Sequence, residues 1–488
     1  MSTALDQFLK ADTKKRLEMV QDKSLGDSLR AYLGQKPFNE YQQLASSVHA
    51  KHLAITHPTN LIFVPGIMGS LLQSKTKAGI WWIDVRTRDH IEDLRLNPDG
   101  KADADPNNMV VPCAVDTSYE PFLTAILARD DFGHDMFPYD WRKPIASSTG
   151  ALYKLIEDTY AHNNGNYPVH LVAHSMGGLM VRATLKQYPD LWSKVGRIVF
   201  VGTPHYGSQA MGGYLKNHFW GFELMALLGL YLSPEAFRSM WGALSLLPAP
   251  RGVYPGTRPK DRDPWVDPES SYPHPCANFD MYKADNWKLE LSNEATKNLQ
   301  TVLDAAARMH QDLDEWHQNL TQDLRERMLV IAGVGYQTLF RLEHDSSFFG
   351  LWEKMAKITE RAPGNRHRDG DGRVPVASAV LENVTARYVR GIHGGLTNIP
   401  AVYKDVFCWL KGTKLLLPDS PEGALSQHLA PGDSESLAPN LDGTAKAQPF
   451  SDDPGLWHLI GPNASRLQQL KADLDAGKIP EFQHVRWL

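Results

Sequence analysis

The amino-acid sequence predicts an α/β fold with a mostly parallel central sheet, helices on both faces of the sheet and a large inserted cap or lid domain. Short apolar runs alternate with longer helical patterns, which is typical of a parallel sheet wound with helices. One apolar run leads directly into a serine flanked by small residues, at residues 173–177. The alternation stops between residues 206 and 325. About 120 residues are too many for a loop without structure of its own, so an inserted domain is expected.

The predicted strands end at glycine, proline or polar residues. The first of them, residues 61–64, is a continuous apolar run that stops at Pro65 and Gly66, as expected of a buried parallel strand. Such sheets bind ligands beyond the carboxyl ends of their strands, so residues that follow different strands are expected to meet there. The further predicted strands are residues 134–139, 169–173, 197–202, 328–334 and 385–389, with helices between them that include residues 119–128 and 150–162.

Four regions follow from these patterns. Residues 1–50 are predicted to form a helical N-terminal arm, because apolar side chains recur there at helical spacing. Residues 413–488 are rich in Pro, Ser, Asp and Gly and are predicted to form a partly flexible C-terminal tail, with a short helix at residues 464–476. The α/β core is predicted at residues 51–205 and 326–412, and the cap or lid insertion at residues 206–325, with an apolar run at 219–228, a proline-rich stretch at 248–275 and a long helix at 293–325.

Composition excludes several classes of protein. The net charge is only -5 over 488 residues and no long basic stretch occurs, which argues against nucleic acid as a partner. The three cysteines are far apart and odd in number, so buried, inert thiols are expected in place of a disulfide framework or a metal cluster. The longest apolar stretch, residues 221–232, is too short to span a bilayer. The N-terminus lacks a signal-peptide pattern, which predicts a cytoplasmic location, with export by a signal-independent route as the alternative.

Ser175 has the sequence setting of a catalytic nucleophile. It lies between the predicted strand at residues 169–173 and a helix-favouring stretch, with Ala173 two positions before it and Gly177 two positions after it. A nucleophile on a sharp strand-to-helix turn has a strained backbone, which only small residues at these two positions tolerate. An ordinary glycine-rich turn is the alternative, and the strand before it together with the helix after it argues against that reading.

A serine hydroxyl needs a base, and the base needs an orienting acid. The expected order along the chain is serine, acid, histidine. Asp371, in an acidic glycine-rich loop, and His393, directly after the last predicted strand, meet this order, with Asp369 as the reserve acid. The alternative for the acidic loop is a calcium site, but the spacing and closing glutamate of an EF-hand are missing. The alternative for His393 is a surface or capping residue.

The oxyanion that forms during attack should be stabilised by two backbone N–H groups. One is expected from Met176, which follows the nucleophile, and the other from Ile67 in the loop after the first strand, with Met68 as second choice. The side chain of His174 should point away from the nucleophile, so a packing or substrate-pocket role is expected for it.

No metal site and no cofactor are predicted. His310 and His317 lie in a helical pattern without the remaining ligands of a metal site. His205 lies where a strand is expected to lead into the cap, and Asp140 and Arg142 are expected to form a buried structural ion pair.

Five motifs in this order resemble the lecithin:cholesterol acyltransferase family of lipases and acyltransferases. They are residues 64–70, 138–142, 173–178, 202–207 and 370–375, and the resemblance covers roughly residues 55–412. Residues 240–248 and 279–282 also resemble the cap of that family. The resemblance implies an α/β-hydrolase fold and a serine that takes a fatty acyl group and passes it to water or an alcohol. It also implies Ser175, Asp371 and His393 as the catalytic triad.

The chain also departs from the secreted animal members of that family. It lacks a signal peptide and the cysteine pair near the lid, and Arg373 replaces the usual small hydroxyl residue of the acidic loop. Trp81 and Trp82 follow the oxyanion loop, where the family carries a mobile lid. Paired tryptophans suit a membrane interface or an acyl channel, so they are candidate substrate contacts together with Met68 and His174. A locally buried strand is an equal alternative for the two tryptophans.

The function expected from the residues and the resemblance is that of a serine hydrolase of lipid esters, of the lipase or phospholipase type, with O-acyl transfer as a second outcome. Its expected partner is a lipid or ester substrate, with transient contact to a membrane surface. One alternative is a soluble esterase or amide hydrolase on non-lipid substrates. Another is a binding protein that keeps the fold without turnover.

Overall fold

The computed structural model describes residues 4–258, 276–342 and 370–426, together with residues 472 and 476. Left out within these ranges are residues 12, 34, 36–37, 40, 43–44, 47–58, 78, 83–84, 130–131, 163, 216–231 and 337. Several predictions therefore lie outside the described residues. These are the apolar run at 219–228, the later part of the proline-rich stretch, Asp369 and most of the C-terminal tail.

Two sheets occur in the described residues. Six strands form a parallel sheet in the order β5-β1-β6-β7-β8-β9, and three form an antiparallel sheet in the order β3-β2-β4. The main sheet has the parallel strands that the sequence predicts, whereas the small sheet as a whole is not predicted. The strands are β1 (Thr59–Val64), β2 (Ser70–Ser74), β3 (Ile80–Trp82), β4 (Val110–Val115), β5 (Gly133–Met136), β6 (Val169–His174), β7 (Val195–Val201), β8 (Met328–Val334) and β9 (Thr385–Arg390).

The main sheet has apolar clusters on both faces because side chains alternate along each strand. In β1, Ile62 and Val64 belong to a large cluster on one face, whereas Leu61 and Phe63 belong to a second cluster on the other. All seven residues of β8 are buried, as a central parallel strand requires.

Helices cover both faces of this sheet. Phe122, on the helix Glu120–Leu127, and Val406, on the helix Pro400–Lys411, pack in the same cluster as Phe63. Ile156 and Leu179, on α5 and α6, pack in the cluster of Ile62. The helices are α1 (Ala4–Lys10), α2 (Thr13–Gln21), α3 (Gly26–Leu33), α4 (Glu120–Leu127), α5 (Thr149–His162), α6 (Met176–Gln187), α7 (Ala210–Leu215), α8 (Pro234–Arg238), α9 (Trp241–Leu244), α10 (Asn293–Gln318), α11 (Gln322–Arg325), α12 (Val376–Ala379), α13 (Pro400–Lys411) and α14 (Pro421–Ser426).

The N-terminal helices pack against the small sheet. Phe8 and Leu29 share an apolar cluster with Leu71 of β2 and Ile80 of β3. Arg16 of α2 is buried and forms an ion pair with Glu120 at the start of α4, with 2.9 Å between Nη1 and Oε2. The described part of the predicted N-terminal arm is therefore helical and is joined to the core by apolar contacts and one buried ion pair.

The described parts of the insertion share one apolar cluster with the main sheet. Leu303 and Leu313 of α10 pack in the cluster that also contains Leu179 of α6. The helix predicted at residues 293–325 is shorter than expected: α10 ends at Gln318 and α11 forms a separate turn. Its start follows the usual rule, because the Ser292 hydroxyl accepts a hydrogen bond from the Ala295 N–H.

Cys113, Cys276 and Cys408 form no disulfide, but only Cys276 is buried, so the expectation of three buried cysteines is wrong for the other two, which are half-buried. Among the described residues, no helix is both long and apolar enough to cross a membrane.

Candidate active site

Ser175 lies at the junction between β6 and α6. Its backbone has φ 50° and ψ -129°, a conformation that a residue with a side chain rarely adopts, and its N–H donates to the Val201 carbonyl over 3.0 Å. Such strain is the mark of a nucleophile elbow, which presents the hydroxyl at the end of the strand. The elbow that the sequence predicts is therefore present in the structure.

Contacts around the elbow explain the small residues beside it. A Cβ added at Gly177 would lie 2.4 Å from the Val64 carbonyl oxygen. A Cβ added at Gly178 would lie 2.2 Å from the Thr203 hydroxyl. The first turn of α6 thus packs directly on the ends of β1 and β7, and a larger residue at either position would displace the elbow.

His393 and Asp371 lie beside Ser175, although they are distant along the chain. The Ser175 Oγ lies 2.9 Å from His393 Nε2, and His393 Nδ1 lies 2.7 Å from Asp371 Oδ2. Because a carboxylate accepts hydrogen bonds, Nδ1 carries the proton and Nε2 is free to accept the serine proton. The hydroxyl, the imidazole and the carboxylate form one hydrogen-bonded chain, and Asp371 is the acid in it.

Asp371 is buried and rigidly held. Its Oδ1 accepts the backbone N–H groups of Arg373 and Val374 over 2.9 and 2.7 Å. The acidic loop thus closes on its own carboxylate, leaving Oδ2 for His393. The backbone of His393 also donates its N–H to the Asp371 carbonyl over 2.9 Å, so acid and base are joined through both main chain and side chain.

The loop after β1 lies directly against the nucleophile. A Cβ added at Gly66 would be only 2.8 Å from the Cβ of Ser175. Ile67 follows in the same loop, and Met68 has a left-handed backbone with φ 61°. The loop and the first residue of α6, Met176, therefore flank Ser175, which is the arrangement that the prediction of Ile67 and Met176 as oxyanion donors requires.

Trp81 and Trp82 are strand residues in the structure. Trp81 is 0% and Trp82 1% exposed, and Trp82 packs edge-on against Trp141. The Trp82 indole donates a hydrogen bond to the Met68 carbonyl over 3.1 Å. Of the two alternatives for this pair, the locally buried strand is the one that the structure has, since both side chains are buried in protein and Trp82 supports the loop beside the nucleophile.

His174 is buried beside the nucleophile. Its ring is buried between Tyr119 and the His393 main chain, with its two nitrogens 2.8 Å from the Tyr119 hydroxyl and 3.0 Å from the His393 carbonyl. Burial, together with the neighbouring His393, lowers the pKa of His174 to about 3, so this imidazole is neutral at ordinary pH. A packing role matches this position.

Sequence reasoning missed the aromatic residues that hold the loop after β1. The Tyr119 hydroxyl accepts the Gly66 N–H over 3.0 Å, and the Tyr139 hydroxyl donates to the Pro65 carbonyl over 3.1 Å. The Trp141 indole donates to the Ser70 carbonyl over 3.2 Å. Tyr139 and Trp141 lie inside the motif at residues 138–142, so that motif could have indicated them as residues near the site. Nothing in the sequence distinguishes Tyr119.

The other polar groups that were singled out are structural. Arg142 pairs with Asp140 as predicted, with 2.7 Å between Nη2 and Oδ2, and also with Asp103, with 2.9 Å between Nη1 and Oδ1. His310 and His317 contact backbone carbonyls through Nε2. Throughout the part of the chain that the structure describes, no group of three or more His, Cys, Asp or Glu side chains could hold a metal ion.

Comparison with known proteins gives matches of three kinds. The lecithin:cholesterol acyltransferase family model matches residues 134–254, which contain β5, β6, the elbow and the start of the insertion. Phospholipase A(1) LCAT3 of Arabidopsis thaliana is 23% identical over 297 residues, 56% of this chain and 65% of that protein. YJR098C of Saccharomyces cerevisiae is 24% identical over 161 residues, 31% of this chain and 24% of that protein. The chain thus spans less than two thirds of either relative.

Among solved structures, the chain is similar to the Tle4-Tli4 complex, with 15% identity, a TM-score of 0.45 and coverage of 73% of this chain and 97% of that one. The family match contains the nucleophile, and the Arabidopsis relative extends the similarity over more than half of the chain. The main sheet and its helices have the α/β-hydrolase arrangement. On these grounds the chain is similar to the lecithin:cholesterol acyltransferase family, over residues 134–254 in the family model.

Proposed function

We propose that this protein is a serine hydrolase of lipid esters that forms an acyl-enzyme at Ser175. The observation that carries the proposal is the hydrogen-bonded chain from the Ser175 hydroxyl through His393 to Asp371. The family match and the phospholipase relative support a lipid ester as the substrate class.

In the proposed reaction, the Ser175 Oγ attacks the ester carbonyl carbon while its proton passes to His393 Nε2. The carbonyl oxygen becomes an oxyanion, stabilised by the N–H groups of Ile67 and Met176. The C–O bond to the leaving alcohol then breaks, and His393 returns the proton to that alcohol. Asp371 remains ionised and keeps Nδ1 protonated.

The acyl-enzyme is resolved by a second attack. Water or an alcohol attacks the acyl carbonyl carbon and gives its proton to His393. The bond from that carbon to the Ser175 Oγ then breaks, the acyl group leaves as a fatty acid or a new ester, and His393 returns the proton to the Ser175 Oγ. Hydrolysis and acyl transfer differ only in the acceptor, so one site serves both. Transient contact with a membrane surface is part of the proposal, because a lipid ester must leave an aggregate to reach a buried serine.

Product analysis by mass spectrometry tests this function. The purified protein is mixed with vesicles of phospholipid and neutral lipid, with and without an added long-chain alcohol. Release of fatty acid and lysolipid, with new ester when alcohol is present, is the expected result, and Ser175→Ala should release neither. A preference for short nitrophenyl esters combined with no lipid cleavage would contradict the lipid substrate and favour a soluble esterase.

A further inference from the structure

A buried histidine that is not part of the proposed triad lies beside it. His174, the last residue of β6, is 4% exposed, and both of its ring nitrogens have a partner. Nδ1 lies 2.8 Å from the Tyr119 hydroxyl, and Nε2 lies 3.0 Å from the carbonyl oxygen of His393. The proposed reaction uses neither of these groups.

The partners fix the direction of every hydrogen bond. The His393 carbonyl can only accept, so His174 Nε2 carries the proton and Nδ1 is left as an acceptor. The Tyr119 hydroxyl therefore donates to Nδ1, which frees its oxygen to accept the Gly66 N–H over 3.0 Å. A single proton arrangement thus satisfies the chain from the Gly66 N–H through Tyr119 and His174 to the His393 carbonyl.

This series of hydrogen bonds joins three segments that surround the nucleophile. Gly66 precedes Ile67 in the loop after β1, His174 precedes Ser175, and His393 carries the proposed base. A second contact supports the same junction, since the Asn398 side chain donates to the Ser118 carbonyl over 2.8 Å. The three segments are brought together only by the fold.

The two side chains in this hydrogen-bonded series, His174 and Tyr119, also keep their protonation state when charge develops at His393 during turnover. Burial lowers the pKa of His174 to about 3 and raises that of Tyr119 well above its usual value, so both groups stay neutral. When His393 takes the serine proton, the hydrogen bonds of this chain therefore keep their direction. A neutral, fully paired network of this kind is rigid.

We propose that His174 is a positioning residue, which holds the main chain of His393 and, through Tyr119, the loop at Gly66 in line with Ser175. This inference rests on the proposed function for its effect on rate, but its structural part is independent of that function. His174 contacts no reacting atom. It acts by fixing where the base and the oxyanion loop lie.

Three variants and one matched control test the inference. His174→Phe removes both hydrogen bonds but keeps an aromatic ring. His174→Gln retains an amide N–H that can reach the His393 carbonyl. Tyr119→Phe removes only the hydroxyl. His170→Phe is the control: it lies on the same strand, and its Nδ1 accepts the Arg197 N–H over 3.0 Å, away from the site.

The kinetic experiment measures kcat and KM of each variant separately on a lipid or nitrophenyl ester. His174→Phe should lower kcat about 10- to 100-fold with KM within about twofold, because misplacement of reacting groups by up to about 1 Å costs this much. His174→Gln should recover most of the loss, and His170→Phe should stay within about twofold of the native rate. The double variant of His174 and Tyr119 should lose less than the product of the single losses, because both act through one chain.

Amide hydrogen exchange supplies a readout that does not need activity. His174→Phe should speed exchange at Gly66 and in the segment of residues 391–396, whereas His170→Phe should leave both segments unchanged. Equal kcat in His174→Phe and His170→Phe, or unchanged exchange at both segments, would overturn the positioning role. If the native protein hydrolyses no ester and an active-site phosphonate fails to label Ser175, the proposed function fails, and the exchange experiment still decides the structural part.

Discussion

Two of the regions in which this molecule buries polar groups differ in what those groups do. At the carboxyl ends of β1, β6 and β9, side chains form two series of directed hydrogen bonds that meet at His393, one through its ring and one through its carbonyl. Where the N-terminal helices meet the core, one ion pair between Arg16 and Glu120 is buried among apolar side chains.

The difference lies in what each set of contacts fixes. Around Ser175, the partners are backbone and side-chain groups of loops, so their loss changes distances between reacting groups. Arg16 instead joins separate helices: its guanidinium also donates to the carbonyls of Phe8, Leu9 and Val115. Changes in the first region should therefore lower the rate, and changes in the second should lower stability.

The largest expected effect comes from the orienting acid. Asp371→Asn should lower kcat about 10⁴-fold, because the amide favours the wrong protonation of His393 Nδ1. The amide oxygen can still accept the N–H groups of Arg373 and Val374, so the loop should keep its fold. Steady-state kinetics together with thermal unfolding measures both quantities. A loss below tenfold would show that Asp371 is not the acid.

The second largest effect concerns stability and the ion pair of the N-terminal helices. Arg16→Ala should lower the free energy of unfolding by about 3–5 kcal/mol, because it leaves Glu120 charged and buried without its cation. The folded fraction should keep native kcat. Urea unfolding and titration of folded active sites check this separation.

The neighbouring Lys15→Ala is the matched control for the Arg16 variant. Lys15 pairs with Glu18 at the surface, where the two side chains are 62% and 52% exposed, so its loss should cost at most about 0.5 kcal/mol. A large loss of kcat in folded Arg16→Ala would mean that the two regions are coupled, contrary to the comparison.

A smaller effect on rate is expected from crowding the loop after β1. In Gly66→Ala, the added methyl group would lie 2.8 Å from the Ser175 Cβ and 3.2 Å from His174 Nδ1, so the loop must move away. We expect kcat to fall about 10- to 100-fold. Gly394→Ala is the control, since a Cβ there meets nothing within 4 Å although it adjoins His393. Equal kinetics in the two variants would contradict the close approach of the loop.

The smallest effect concerns pH and a buried histidine outside both regions. Burial lowers the pKa of His310 to about 4, below its usual value of 6.5. Between these values the unfolded chain binds a proton that the folded chain does not, so the free energy of unfolding falls as pH drops from about 6.5 to 4. His310→Gln should reduce this slope by up to about 1.4 kcal/mol per pH unit, measured by urea unfolding at several pH values. An unchanged slope would contradict the neutral state of His310.

Much of the fold could be predicted because parallel strands leave a strong local signal. The run at residues 328–334 is apolar throughout and is buried on both faces as β8, with the predicted bounds. The small sheet could not be predicted in this way. β3 has only three residues, and its identity depends on pairing with β2, which sequence periodicity does not report.

The sequence by itself determined the proposed triad, since Ser175, Asp371 and His393 each follow a predicted strand and must meet at one edge of a parallel sheet. Small residues beside Ser175 revealed the elbow because its strain is local. Only the tertiary structure decided the partners of Tyr119 and His174 and the burial of Trp81 and Trp82. Those contacts join segments far apart along the chain, and a side chain's local sequence does not say which distant carbonyl or hydroxyl it will meet.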